Sequence, residues 1–231
     1  MSSFLSLGRT PRRIAEADSV AVIGLGRFGI SLALELMASG TDVLGVDADE
    51  SIVQSLNGEL TQVVRADSTQ LEVLEQLGIG DFDRVVVSIG SDITASILTA
   101  SLLLQLQVPV IWAKAVDERH GAVLEQLGVH RVIYPEKDMG RRVAHLVRGA
   151  AADYLEIDNG FAVVKTVAPQ VVQGRSLAEA GVRSTYGITV AAYRHEDGEW
   201  TNAAPETVLG PGDTMLVVGP INRVERFAQL R

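Results

Sequence analysis

Short, almost wholly apolar runs alternate with mixed stretches through the first 140 residues. Val20–Ile23, Val43–Asp47, Thr61–Arg65, Arg84–Ser88, Val110–Ala113 and Arg131–Tyr134 read as strands. Their apolar character is nearly continuous, as expected for strands buried on both faces of a parallel sheet. Between them, Arg27–Ser39, Asp49–Asn57, Gln70–Leu77, Ser91–Leu106 and Asp117–Leu127 read as helices, and another starts near Lys137. Gly40, Gly78 and Gly128 punctuate the ends of several. Regular strand–helix alternation predicts an α/β domain, a doubly wound parallel sheet of the Rossmann-like kind, over residues 18–140. Residues 1–17 precede it as an N-terminal arm.

One stretch departs from the amphipathic pattern. From Ile93 to Ala113 there is no charged residue. Its length is that of a membrane span, but Gln105, Gln107 and four hydroxyl residues interrupt it and Pro109 breaks it. It reads as a buried helix followed by a buried strand. A helix without charge on any face needs cover on more than one side, and one sheet supplies only one. A second subunit is therefore expected.

Beyond residue 140 the pattern changes. Arg141–Tyr154 reads as a helix leaving the sheet, with 141–152 as a linker helix, and Asp158-Asn159-Gly160 as a turn. Phe161–Val167, Ile188–Arg194, Glu199–Asn202 and Met215–Val218 read as strands, with Asp197-Gly198 as a hairpin turn. Leu177–Ala180 reads as a short helix ended by Gly181, and Ile221–Leu230 as a closing helix. Residues 153–231 thus form a small α+β C-terminal domain.

Composition narrows the class. Of 231 residues, 47% are hydrophobic and 21% charged, which is enough for a sizeable core. The net charge of −9 argues against nucleic acid as a partner. The absence of cysteine removes disulfides, thiolate metal sites and a cysteine nucleophile. No signal-like apolar stretch precedes Arg9, Arg12 and Arg13, so a cytoplasmic location is expected.

The chemistry concentrates in Val20-Ala-Val-Ile-Gly24-Leu-Gly26-Arg27-Phe28-Gly29. A strand runs into G-x-G-x-x-G, a helix follows at once, and a second strand ends on Asp47, eighteen residues past Gly29. This is the context of a dinucleotide fingerprint. Gly24 permits the tight turn, Gly26 lets backbone approach a phosphate, and Gly29 lets helix and strand pack. The helix N-terminus offers free N–H groups to an anion. Asp47 is placed to accept from ribose hydroxyls. Arg27 adds charge where phosphates lie and favours a highly charged nucleotide, or it is a solvated first-turn residue. Ala66-Asp67-Ser68 follows strand three, so Asp67 either lies near an adenosine or caps the next helix. Ser88-Ile89-Gly90 and Lys114 end strands four and five at the same edge. Glu136 either binds a cation or a neighbouring subunit, or belongs to a solvated loop.

Catalytic constellations are missing. His120, His130, His145 and His195 are scattered without metal-ligand or catalytic spacing. Tyr134 and Lys137 are three apart with Pro135 between them, unlike a dehydrogenase Tyr–Lys pair. There is no G-x-S-x-G and no P-loop. A nucleotide site without catalytic machinery points to sensing rather than to an enzyme. The competing readings are an NAD(H)-dependent oxidoreductase or redox sensor, and a stand-alone cyclic dinucleotide sensor.

Ile23-Gly-Leu-Gly-Arg-Phe-Gly29, Val43-Leu-Gly-Val-Asp47, Val85-Val-Val-Ser-Ile-Gly90, Ile111-Trp-Ala-Lys-Ala115 and Pro135-Glu-Lys-Asp-Met-Gly140 together resemble the regulatory subunits of bacterial potassium uptake systems, the KtrA and TrkA proteins built from RCK domains. The likeness runs from about Asp18 to the end, and the length suits a single repeat. The resemblance implies an N-terminal domain that binds ATP, ADP and sometimes NAD(H), through Gly24, Gly26, Arg27, Phe28, Gly29, Asp47, Ala48, Asp67, Ser68, Ser88, Ile89, Gly90 and Lys114. It implies that Arg27 meets the terminal phosphates. It implies a cation, Mg, Ca or Na, at Glu136 on a subunit interface. It implies homodimers stacked into an octameric ring, peripheral to the inner face of the membrane on a KtrB- or TrkH-type transporter subunit. In the C-terminal domain it implies a cyclic di-AMP site at Arg183, Tyr186 and Gly187, with Pro205 in the following loop, although Ser184-Thr185 is less basic than the family pattern.

Overall fold

The computed structural model describes residues 19–148, 151–158 and 160–230. The chain divides into two compact units, one ending at Glu136 and the other beginning at Lys137. The expected N-terminal arm and the turn residue Asn159 lie outside the described residues.

In the first unit, six strands form one parallel sheet: β1 (Ser19–Ile23), β2 (Asp42–Asp47), β3 (Gln62–Arg65), β4 (Arg84–Val87), β5 (Val110–Lys114) and β6 (Arg131–Ile133). Their order is β3-β2-β1-β4-β5-β6, the doubly wound order predicted. Five helices connect them: α1 (Arg27–Ala38), α2 (Glu50–Ser55), α3 (Leu71–Gln76), α4 (Ile93–Gln105) and α5 (Glu118–Leu127). Alternate residues of each strand feed opposite layers. Ala21, Ile23, Leu44, Val46, Val85 and Val87 pack on one face. Val20, Val22, Val43 and Val86 pack with Leu25 and Ala33 on the other. Two covered faces explain the continuous apolar runs. Truncating Ile23 or Leu44, both essentially inaccessible, would cost roughly 2–5 kcal/mol each.

Local chemistry sets the helix ends. Asp92 caps α4 by accepting from the Ala95 N–H (2.9 Å), and Asp117 caps α5 from the His120 N–H (2.8 Å). Gly128, at φ +100°, ends α5 in the left-handed region. The uncharged helix α4 buries Ser96, Thr99, Ala100 and Leu103 but leaves Leu98 46% exposed. No described helix is long and apolar enough to cross a membrane.

The second unit differs from its expected pattern at its start. Helix α6 spans Pro135–Arg148, not Arg141–Tyr154, and Asp153–Asp158 is a strand, β7. The reason is a period of two. Tyr154 is buried while Leu155 and Ile157 are exposed, and Tyr154 sits opposite Val164 in an antiparallel pair. The strand is hard to see in sequence because its apolar aliphatic residues face out and its buried residue carries a hydroxyl.

Strands β8 (Phe161–Val167), β9 (Thr189–Arg194), β10 (Thr201–Asn202) and β11 (Thr214–Pro220) complete a sheet of order β10-β9-β11-β8-β7. The sheet is antiparallel throughout. Leu177–Ala180 forms turns, not the expected helix. The helix lies just beyond, α7 (Val182–Tyr186), between Gly181 at φ +59° and Gly187 at φ +65°. Those two glycines fix its five-residue length, because left-handed backbone interrupts the helix at both ends. Glu199-Trp200 belongs to a loop, so β10 is shorter than expected and Asp197-Gly198 sits in a wider connection closed by Gly198 N–H to His195 C=O (3.0 Å). The closing helix α8 (Ile221–Ala228) lays Val224, Phe227 and Ala228 on a core with Ile188, Met215 and Val217.

Candidate functional site

The strand order reverses between β1 and β4, and the carboxyl ends of these strands open a crevice there. The three glycines of the fingerprint occupy it in three different physical situations. Gly24 has φ +93°, and a Cβ there would lie 2.9 Å from Ile89 Cγ1 and from the Ile89 backbone nitrogen. Gly29 is tighter still: a Cβ would fall 2.0 Å from the Gly24 carbonyl oxygen and 2.6 Å from Ser88 Oγ. Gly26 is the opposite case, with nothing within 4 Å of the position a Cβ would take. Two glycines are thus required by packing inside the chain, and one faces open space.

That open space lies at the start of α1. Gly26 is its N-cap and offers no side-chain cap. The first ladder bond runs from the Ile30 N–H to the Gly26 carbonyl (2.9 Å). The N–H groups of Arg27, Phe28 and Gly29 come before the helical ladder and point toward its positive end. A ligand anion would complete them.

Asp47 ties this turn to the second strand. Its Oδ2 accepts from the Leu25 N–H (2.6 Å) and its Oδ1 from the Asp49 N–H (2.8 Å). The carboxylate is therefore held rigidly at the crevice, with lone pairs left for ribose hydroxyls. Beside it, Arg65 donates to the Ala48 carbonyl (3.2 Å) and pairs with Glu50 (3.0 Å). Arg65 and Glu50 belong to no recognisable motif. The parallel register, with Asp47 opposite Arg65, is the signal that brings Arg65 to this edge.

A second cluster forms across the switch point. The largely buried Lys114 ammonium donates to Glu136 Oε1 (2.6 Å), while the Glu136 side chain stays 67% exposed. The same ammonium lies 5.8 Å from the Phe28 ring centroid, and a Cβ on Gly90 would come within 3.3 Å of it. The Lys114 hydrogen bond holds the Glu136 carboxyl below its usual range, and the charges of Lys114 and Arg27 add to this. Arg27, Phe28, Gly90, Lys114 and Glu136 are thus neighbours, though they come from four elements. Among the described residues no cluster of three or more potential metal ligands exists.

Other expected contacts are made within the chain. Ser88 is buried, and its hydroxyl donates to the Gly24 carbonyl; it braces the loop. Ser68 is buried against Thr99 of α4 (2.9 Å between hydroxyl oxygens). Asp67 accepts from the Thr69 hydroxyl (2.7 Å), the Thr69 N–H (3.0 Å) and Gln70 Nε2 (2.9 Å). Those bonds, the Thr69 hydroxyl first, lower its pKa and give it a turn-capping role. Ile89 packs on the core and beside Gly24.

In the second unit, Arg183, Tyr186 and Gly187 line one cleft of about 470 Å³ with Arg223, Arg226 and Phe227 of α8. Pro205 is outside that lining; its carbonyl accepts from the Ala178 N–H (2.9 Å). Arg223 and Arg226 stand forty or more residues beyond Arg183, and their i, i+3 spacing on the closing helix is the only sequence signal for them.

Comparison with known proteins agrees with this architecture. The TrkA-N domain model matches residues 20–135 and the TrkA-C domain model residues 163–230. The chain is 37% identical over 208 residues to Ktr system potassium uptake protein A of Bacillus subtilis (strain 168), covering 90% of this chain and 94% of that protein. It is 34% identical over 207 residues to the protein of the same name from Vibrio alginolyticus, covering 88% and 93% respectively. Among solved structures, the GsuK RCK domain superposes with a TM-score of 0.65 at 17% identity, over 92% of this chain and 48% of that one. The GsuK channel bound to NAD gives 0.51 at 24% identity, over 93% and 38%. This chain therefore spans less than half the length of those structures.

Proposed function

The chain belongs to the family of potassium-uptake proteins built from a TrkA-N and a TrkA-C domain, and from that premise we propose that it is a nucleotide-sensing gating subunit of a membrane potassium transporter. The observation that carries this reading is the open turn at Gly26. Gly24, Leu25 and Gly29 are pinned by packing or hydrogen bonds, and the face beside the free N–H groups of α1 is left clear. ATP and ADP occupy that crevice. Arg27 meets the terminal phosphates, Asp47 the ribose, and Lys114 the phosphate or its cation environment. Mg, Ca or Na joins the exposed oxygen of Glu136 once phosphates are present. NAD(H) competes for the same crevice, in keeping with the NAD-bound GsuK channel of like fold. The chain has no catalytic role.

Assembly is part of this reading. Leu98 of α4, and Val123 and Leu127 of α5, are large apolar side chains left exposed in a single chain. Met139, Val143 and Val147 repeat every fourth residue on α6 and are exposed too. Such stripes suit pairing with a second copy, and pairs stack into an octameric ring on the cytoplasmic face of a KtrB- or TrkH-type subunit. Nucleotide then shifts ring shape by its differential affinity for the two forms. Cyclic di-AMP is a second effector, held by Arg183, Tyr186 and Gly187.

The test is potassium flux in liposomes carrying the transporter subunit and this chain. ATP should raise flux and ADP lower it, with no nicotinamide turnover. Equal flux with both nucleotides, or steady NADH consumption, would contradict the reading.

A further inference from the structure

We infer that Thr99 is a positioning residue: through Ser68 it ties helix α4 to the nucleotide crevice, so that occupancy of the crevice is felt along α4. The inference rests on the reading of the crevice given above. The contact itself is buried. Thr99 is inaccessible and Ser68 is 7% exposed. Their hydroxyl oxygens lie 2.9 Å apart, and the Thr99 hydroxyl donates to the Ser68 carbonyl (3.2 Å). Threonine has one hydroxyl proton to give, so Ser68 is the donor between the two oxygens. The pair therefore shares two hydrogen bonds across 31 positions of sequence.

The Ser68 end leads back to the crevice. Two residues earlier, the Ala66 N–H donates to the Asp47 carbonyl (2.9 Å). The Asp47 carboxylate in turn holds the Leu25 N–H of the glycine loop (2.6 Å). Asp67, between Ala66 and Ser68, is locked into its turn by Thr69 and Gln70. Residues 66–68 are thus braced as one piece, and a ribose at Asp47 has a short, rigid route to the middle of α4. The Thr99 end leads outward. Ala100 and Leu103 seat α4 on the core through apolar contact. Apolar burial is non-directional, so it sets the depth of a helix better than its place along and around its axis. The hydrogen bonds at Thr99 supply that direction, and they are strong where water is excluded. Elsewhere on the same helix Ile93 is 41% and Leu98 46% exposed, so a displacement of α4 reaches the surface. Ser96 supplies the contrast. It is buried on α4 three residues before Thr99, and its hydroxyl has no partner among the described residues. A buried hydroxyl on this helix is not in itself a link; Thr99 is one because Ser68 meets it.

Hydrogen exchange of the amides of Ile93–Gln105 in the full chain, with and without saturating ATP, tests this. In the wild type ATP should slow their exchange about tenfold, because nucleotide favours the closed position of α4. Thr99→Val keeps the shape and loses the hydroxyl. It should bind ATP within about threefold of wild type, since α4 is closed in nearly every molecule, yet lose the slowing. Thr99→Ser should restore the slowing, and Ser96→Ala should leave it intact. If Thr99→Val does not fold, Ser68→Ala carries the test: it keeps the Thr99 bond to the carbonyl and should weaken the slowing in part. A merely structural role would lower the thermal midpoint of Thr99→Val and leave its response to ATP unchanged. That result, an equal loss in Ser96→Ala, or ATP bound by the wild type with α4 unaffected would overturn the inference and leave the nucleotide reading standing. No calorimetric binding of ATP by the wild type would overturn both.

Discussion

The glycine-loop crevice and the arginine cleft would meet an anion by opposite means. The first is made of backbone. Its donors are N–H groups at the start of α1, and its side chains serve mostly to brace: Ser88 on the Gly24 carbonyl, Asp47 on the Leu25 N–H. The second is made of side chains, and its three cations come from two short helices far apart in sequence. A backbone site is fixed when the fold forms and adds little entropy cost on binding. A site of long, exposed side chains must order them when ligand arrives. The first should therefore fail abruptly when its geometry is disturbed, and the second in graded steps as charges are removed.

The largest expected effect separates packing from binding within the first site. Gly29→Ala forces a methyl onto the Gly24 carbonyl and should cost roughly 2–3 kcal/mol, read as a lower midpoint in urea. Gly26→Ala should leave stability within about 1 kcal/mol, the scale of a lost glycine N-cap. It should weaken ATP by at least tenfold, because the methyl enters the space left for phosphate. Equal behaviour of the two variants would erase the distinction between braced and open glycines.

Next in size is Arg27→Ala. Loss of a charge-assisted contact is worth about 1.5–3 kcal/mol, so ATP should weaken some 10- to 100-fold while AMP changes little. Equal losses for both would remove Arg27 from the terminal phosphates.

The smallest effect concerns acid. His120 is buried in the first unit, and its Nδ1 accepts from the Val116 N–H (3.3 Å) while Nε2 has no partner. Burial holds its pKa below 6.5, so the unfolded chain binds more protons than the native one. The stabilisation is complete above pH 6.5 and is lost as pH falls through that value toward the lower native one. Among described residues the buried set of the second unit contains no histidine. Acid should loosen the first unit before the second, and hydrogen exchange at pH 7.5 and 5.5 would show it. His120→Gln should flatten the difference; an unchanged difference would clear His120.

What could be read from sequence follows the same division. The turn that brings Gly24, Gly26, Gly29 and Asp47 together is legible because a backbone-built turn demands particular residue types at fixed spacing. The direction of a seryl hydroxyl leaves no such trace. Ser88 and Ser68 look like ligand contacts in sequence and turn out to brace the loop and to pin β3's connection to α4. Strand β7 was hidden because its outward positions are apolar and its inward one is Tyr154. Arg223 and Arg226 were hidden because only the folded helix brings them to Arg183.

The most direct test of the central claim is calorimetric titration of ATP into the wild-type chain and into Gly26→Ala under identical conditions. The account predicts saturable binding by the wild type and at least tenfold weaker binding by a variant of nearly unchanged stability. ATP binding of equal strength in both would show that the open face of the glycine loop is not where the nucleotide lies.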